Sequence, residues 1–375
     1  MRQNKRVLHA SLLTEPSTGI ENQLLDEYEA RKPDGVQWDV RIFITYNSDI
    51  EHPMYVKSKM ANPRKYANYS LARILHTRMI VFSYFNWLRS VQKDYDVIFL
   101  RYLPSSIVQW LFLLLSPKKF FLIHHTNEPE ELKLMKGGTS RLNLQIENCF
   151  GPLCIKTAKG TVGATHEIAE FEVSRAGLSG KRNFFVYPNG INVLKNADLL
   201  QLQDRRNNIP SFLFVASFFY PWQGLDLLLK ELAGEQRDFM LHIVGGVPEE
   251  LLTEYGTHPR FKFHGRMTKR EIGVLSEESW VGVSSLALER QGLTEACALK
   301  VREYLLMGLP VIGAYKEVLP DDFQFYKNLS IDATSIFEFA ENARFFSKGD
   351  VRNRSIAHIS KETTIAKLYH SVVNE

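Results

Sequence analysis

The chain has 375 residues, 45% of them apolar and 23% charged, an ordinary globular composition at a length that favours two domains over one core. Its 46 basic and 42 acidic side chains leave a net charge of +4, too small to argue for nucleic acid. Cys149, Cys154 and Cys297 show no paired metal spacing, and so sparse and odd a count suits a reducing compartment.

The opening stretch, MRQNKRVLHASLL, is too polar for a signal peptide. The longest apolar run, Ile107 to Leu115, is broken by Gln109 and is too short to span a bilayer. A soluble cytoplasmic chain is the expectation.

In chain order, short β-like runs alternate with amphipathic stretches, which predicts parallel α/β architecture. Val7–Leu13 reads as a strand, Pro16–Gly19 as a turn, and Ile20, Leu24 and Tyr28 as one face of a helix. Val40–Thr45 is a second strand. Residues 70–92 predict a long helix, with Leu71, Leu75, Met79, Phe82 and Phe85 spaced for burial. Asp96–Leu100 and Lys119–Ile123 follow as strands, and the polar stretch His124–Ser140 as a loop at a strand's carboxyl end. Phe184–Tyr187 stops at the turn Pro188-Asn189-Gly190, and Asp198–Pro210 reads as a linker.

A second βα series comes next. Strands are predicted at Phe212–Ala216, Leu241–Val244, Phe261–Phe263, Val281–Val283 and Val311–Ile312, with helices near 223–233, 248–256, 268–277 and 295–307. A terminal helix is predicted from about Ser360 to Val373. The implied domains are 1–195 and 196–356, with a C-terminal helix, 357–375, packing back on the first. Two such domains facing across a cleft would bind a ligand there.

The segment Gln291 to Ala314, QGLTEACALKVREYLLMGLPVIGA, holds the strongest site signal. It predicts a helix with Thr294 as N-cap, Gly308 at its C-terminus and Pro310 beyond. Free N–H groups at the helix start favour an anion, and Lys300 and Arg302 add charge. On one helix Glu295 and Glu303 would lie roughly 12 Å apart at 1.5 Å per residue, a span that suits a sugar and a ribose across a diphosphate. A carboxylate accepting from vicinal hydroxyls makes a ribose clamp. The competing reading is two solvated helix glutamates.

Other strand-end positions are Gly19, Gly246, Gly265 and Arg266, together with the pair His124-His125, one of which would bond a sugar or move a proton. No GxGxxG, no GxSxG and no His/Cys/Asp cluster with metal-ligand spacing is present. Between Tyr55 and Arg89, basic and aromatic residues interleave (Lys57, Lys59, Arg64, Lys65, Tyr66, Tyr69, Arg73, Arg78, Tyr84, Trp87), readable as a face for anionic lipid or as ordinary helix packing.

These motifs resemble the retaining GT-B glycosyltransferases of group 1, or family 4. Glu295-x7-Glu303 followed by MGLPVI is similar to the family's E-x7-E helix and GLPVI strand. VGGVPEE at 244–250, YPNGIN at 187–192 and HHT at 124–126 resemble its VGxGP, PNGVD and HT segments. A W-x-G at Trp222 and LKxREY at 299–304 look like the bacterial surface-polysaccharide subset.

The resemblance implies a GT-B fold of two Rossmann-like, doubly wound domains. It also implies transfer of a hexose from a UDP- or GDP-linked donor to a glycan or lipid-linked acceptor, with no metal and no nucleic acid. Carried over, Glu295 contacts the donor hexose and Glu303 the ribose. Backbone at Gly292, Leu293, Thr294 and Gly19 holds the diphosphate, Gly246 and Arg266 line the donor site, and Lys300 supplies charge. His125 lies near the transferred sugar, and Asn189 serves the acceptor side or the domain junction. The family's basic pair is replaced by Ser217 and Gln223, so Lys300, Arg302 or Arg266 would carry the phosphate charge. An epimerase of the same fold and a non-catalytic GT-B subunit are the alternatives.

Overall fold

The computed structural model describes residues 5–46, 51–59, 70–134 and 140–373. They form two compact units, Met1–Pro188 with Thr364–Glu375, and Asn189–Thr363.

The first unit runs β1 (Arg6–Leu13), α1 (Thr18–Glu29), β2 (Gln37–Ile44), β3 (Tyr55–Lys57), α2 (Ser70–Val91), β4 (Val97–Arg101), α3 (Ile107–Leu114), β5 (Phe120–His124), α4 (Glu128–Leu134), α5 (Ser140–Thr157), β6 (Gly160–Gly163), α6 (His166–Arg175) and β7 (Phe184–Val186). Its strands pair in the order β3-β2-β1-β4-β5-β6-β7, all parallel. Both sheet faces are covered, so the strands read as apolar runs rather than as alternation. The period of two appears instead in which core each side chain joins. Val7, Phe99 and Phe121 pack on one face with Leu24 and Trp38, while Leu8, Ile98 and Leu122 pack on the other with Ile80, Tyr84 and Leu88.

The second unit contains β8 (Ser211–Phe218), α7 (Leu225–Ala233), β9 (Met240–Gly246), α8 (Glu249–Tyr255), β10 (Phe261–Gly265), α9 (Lys269–Glu278), β11 (Val281–Val283), β12 (Glu295–Ala296), α10 (Leu299–Leu306), β13 (Val311–Gly313), β14 (Lys316–Glu317), β15 (Tyr326–Asn328), α11 (Ala333–Ala343) and α12 (Lys348–Ile359). Its main sheet is parallel with the order β10-β9-β8-β11-β13-β15, and β12 pairs with β14 apart from it. Each unit winds outward both ways from its first strand. The strand order therefore reverses beside β1 and β4 in the first unit and beside β8 and β11 in the second, where such sheets open a crevice at the carboxyl ends. The last helix, α13 (Lys361–Val373), places Ile365, Leu368, Tyr369 and Val372 in the first unit's core.

Several local expectations change. The units divide at 188/189 and 363/364, because Ile191 bonds through its backbone to Ile359 and Lys361, tying both stretches to the second unit. Residues 198–210, expected as a linker, include buried Leu199, and Arg205 N–H donates to the Glu277 carbonyl. The loop expected at 124–140 contains α4, which opens on three glutamates that complement the helix N-terminus. In α2, Leu75, Met79 and Phe82 do not bury: they are 57%, 56% and 67% exposed. Ile80, Tyr84, Phe85 and Leu88 form the inward face instead, so Tyr84 is core, and half-buried Trp87 packs beside it. Arg64, Lys65, Tyr66 and Tyr69 of the basic-aromatic stretch lie outside the described residues.

Candidate functional site

At the strand-order reversal of the second unit, the segment after β8 crosses to the segment after β11. Leu286 N–H donates to the Gln223 carbonyl and Ala287 N–H to the Trp222 carbonyl, at 3.0 and 3.3 Å. Gly224 closes the turn in the left-handed region, φ 71°, with its α-carbon against Leu286. Trp222 stacks nearly flat on exposed Tyr220, 4.5 Å between ring centroids, giving a planar aromatic surface at the strand end. Gly245 is required for a different reason. Its φ is 128°, and a side chain there would drive into the Ala216 carbonyl, so the end of β9 crosses β8 closely only as glycine. Gly246 is half-buried and accepts from Phe219 N–H, so its backbone is already in use.

The segment from Gly292 to Leu306 differs from its expectation. Helix α10 begins at Leu299, with Ala298 at the cap position, so Thr294 is not the N-cap. Glu295 lies in the short strand β12, and the 12 Å helical spacing to Glu303 does not apply. The cause is a set of cross-links that hold the chain extended. Lys316 N–H donates to the Thr294 carbonyl and Val318 N–H to the Ala296 carbonyl. Asn189 donates to the Cys297 carbonyl at 2.7 Å, and the Glu317 carboxylate accepts from Ala298 N–H at 3.3 Å. Gly292, Leu293 and Thr294 therefore form an exposed to half-buried approach to a buried Glu295, whose carboxylate is 3.7 Å from Lys316 Nζ. Gly292 adopts φ 68°, and the space on its α-carbon is open.

The three basic candidates separate cleanly. Arg302 is completely buried, pairs with Glu317 at 2.6 Å, and donates to the carbonyls of Asn189, Ala298 and Val318. It is committed to holding the segment. Asn189, which donates to the Cys297 sulfur and carbonyl and whose own carbonyl accepts from Arg302, does the same work. Arg266 is exposed after the left-handed Gly265. Lys300 is half-buried; its Nζ donates to Gln223 Oε1 at 2.6 Å and sits 5.1 Å from the centroid of the Phe214 ring. Burial of its ammonium pushes the pKa down to about 7, against the pull of the Glu303 carboxylate. Gln223, at the position where the resembled motif has lysine, thus holds the lysine of α10. Glu303 is 39% exposed at its side chain and pairs with Lys269 Nζ at 3.1 Å, which also donates to Asn196.

In the first unit, Gly19 lies in the first turn of α1, exposed and with open space on its α-carbon. His125 is half-buried just past β5, whereas His124 is completely buried. His124 stacks on Tyr102, 4.4 Å between centroids, and its Nδ1 faces the carboxylates of Glu128 and Glu172. Sequence reading missed this cluster. The His124/Glu128 spacing of four was the available signal, and Glu172 comes from a distant helix.

A cavity of about 920 Å³ in the second unit is lined by Glu317, Pro320, Asp322, Phe323 and Phe339 among others, and none of the candidate donor residues lines it.

The two units and their strand orders define a GT-B fold. Residues 209–341, most of the second unit, match the family model described as Glycosyl transferases group 1. Among solved structures, the chain is similar to a glycosyltransferase from Rickettsia africae (TM-score 0.64, 13% identity, 99% of this chain and 100% of that one). It is also similar to the apo lipopolysaccharide outer core galactosyltransferase WaaB (0.61, 14%, 98% and 99%). A third is Anabaena HepE in complex with UDP and glucose (0.59, 13%, 99% and 100%). At these identities the neighbours establish the fold, and the family match supports glycosyltransferase activity. No curated protein sequence matches the chain.

Proposed function

We propose that the chain transfers a hexose from a nucleotide-sugar donor to a glycan or lipid-linked acceptor, with retention of configuration, in polysaccharide biosynthesis. The observation that carries this reading is Lys300, held by Gln223 Oε1 at 2.6 Å at the strand-order reversal, with an exposed to half-buried segment at Gly292–Thr294 leading to Glu295. The HepE structures, with UDP and with UDP-glucose, support a UDP-linked donor.

In this reading Glu303 gives up Lys269 to accept from the ribose hydroxyls, and Glu295 orients the hexose. Lys300 and the backbone around Gly292–Thr294 hold the diphosphate, with Arg266, Gly246 and Gly19 as further donor contacts. His125 serves the transferred sugar. The bond from the anomeric carbon to the β-phosphate oxygen breaks, and the acceptor oxygen bonds to that carbon on the same face. The acceptor proton passes to the leaving phosphate oxygen. Negative charge grows on the diphosphate, where a fixed ammonium and backbone donors stabilise it with no metal in the step.

The test is Glu303→Ala. Nucleotide binding, read by calorimetry with UDP and GDP, should be lost while circular dichroism stays unchanged. Unaltered affinity would overturn the ribose assignment.

The reading extends to a peripheral site at the inner face of a membrane, where lipid-linked acceptors reside. No helix among the described residues is long and apolar enough to cross a membrane. Leu75, Met79 and Phe82 lie at helix positions 0, +4 and +7 and are exposed, and exposed Arg89 continues the stripe at +14. Leu111, Leu114 and Leu115, at the packed neighbour α3, are exposed as well, with exposed Lys118 just beyond. Apolar side chains bordered by cations suit an anionic bilayer surface.

A further inference from the structure

The buried cluster at the carboxyl end of β5 has more carboxylates than cations. Glu128, Glu147 and Glu172 are 6%, 0% and 0% exposed. Arg175 pairs with Glu147 at 2.8 Å and with Glu172 at 2.5 Å. Arg101, half-buried, lies within electrostatic reach of Glu128 and Glu131.

The donor atoms converge. His124 Nδ1 is 3.2 Å from each oxygen of Glu128 and 3.3 Å from Glu172 Oε2. Those separations match the edge of a tetrahedron around an ion with ligand bonds near 2.0–2.1 Å, which is about 3.3 Å. Glu172 Oε1 has no hydrogen-bond partner, whereas its Oε2 accepts from Arg175; His124 Nε2, across the ring from Nδ1, is also unpartnered. The supports resemble those of metal ligands: Arg175 Nε donates to Glu172 at 2.8 Å, and Tyr102 stacks on the imidazole while its hydroxyl donates to Glu147. Gly151 leaves room for this arrangement, since a side chain there would meet both Arg175 and Glu147.

We propose that His124, Glu128 and Glu172 form a structural site for a divalent cation of the zinc type, each supplying one ligand atom. A 2+ ion offsets the surplus carboxylate charge and fixes the end of β5, and with it the neighbouring His125. It belongs to the first unit and does not depend on the proposed transfer activity.

The experiment uses the full chain stripped with chelator, then dialysed against Zn2+ or Co2+. Elemental analysis should give about one Zn2+ per chain, and Co2+ should give the visible absorption of a tetrahedral N/O site. Added Zn2+ should raise the Tm. Glu128→Gln and Glu172→Gln should weaken uptake at least tenfold, whereas His242→Ala, which removes a member of the exposed His242–His264 pair, should not. No uptake by the unaltered chain, or uptake lost in His242→Ala but kept in Glu128→Gln, would overturn the site. The unaltered chain alone decides the matter if the glutamine variants fail to fold.

Discussion

In the proposed donor site, Lys300 would make binding depend on pH. Burial lowers its pKa to about 7, so at neutral pH roughly half of the free chain carries the ammonium there. A diphosphate binds the charged form and draws a proton in. Donor affinity should therefore be greatest below pH 7 and fall toward tenfold per unit above it, measured by calorimetry at constant ionic strength. Lys300→Arg, charged throughout, should flatten that profile, and a profile unchanged by the substitution would exclude Lys300 from the diphosphate. Lys300→Met should cost about 1.5–3 kcal/mol of donor binding, the range for a charged hydrogen bond. Gln223→Lys restores the residue type of the resembled motif but puts a second ammonium 2.6 Å from the first, where Oε1 now accepts. It should lower donor affinity at pH 7, read in the same titration.

The segment carrying Glu295 depends on buried ionic support. Arg302 and Glu317 are both fully buried at their side chains and pair at 2.6 Å, with the carbonyls of Asn189, Ala298 and Val318 satisfying the guanidinium. Removing one partner leaves the other charge unpaired, so Glu317→Gln should cost about 3–5 kcal/mol in urea unfolding. Gly245→Ala should cost about 3 kcal/mol or more by the same measurement, because its α-carbon faces the Ala216 carbonyl and its φ is 128°. These elements also show how far sequence reading reaches. The strands around Phe212–Ala216 and Leu241–Val244 were legible because local apolar runs mark strands covered on both faces. The helix start was not. From Thr294 to Ala298 the chain has acceptable helix formers, and only partners at Asn189 and 316–318 hold it extended. Lys300 and Glu303 were legible only as candidates, and the Gln223–Lys300 contact spans 77 positions and has no local signal. The His124 cluster joins three helices' worth of sequence in the same hidden way.

At the scale of the whole molecule, the net charge of +4 is too small to draw the chain to an anionic bilayer by itself, so attachment must come from where apolar and basic groups coincide. The spacing of Leu75, Met79 and Phe82 predicts burial, and the structure turns them outward because Ile80, Tyr84 and Leu88 already fill the sheet-facing side of α2. Exposed side chains of that size are costly unless something covers them. If that cover is lipid, burying Phe82 and Leu115 supplies about 1.5–3 kcal/mol each, and each nearby lysine or arginine about 1 kcal/mol at low salt. Sedimentation with vesicles of mixed neutral and anionic lipid should then show binding that weakens with salt without vanishing, because the apolar part is not screened. Phe82→Ser combined with Leu115→Ser should reduce vesicle binding about 100-fold or more, while affinity for a soluble nucleotide stays as it was. If the double substitution changes nucleotide affinity and leaves vesicle binding intact, these leucines and the phenylalanine serve the fold or another contact, and the membrane reading fails.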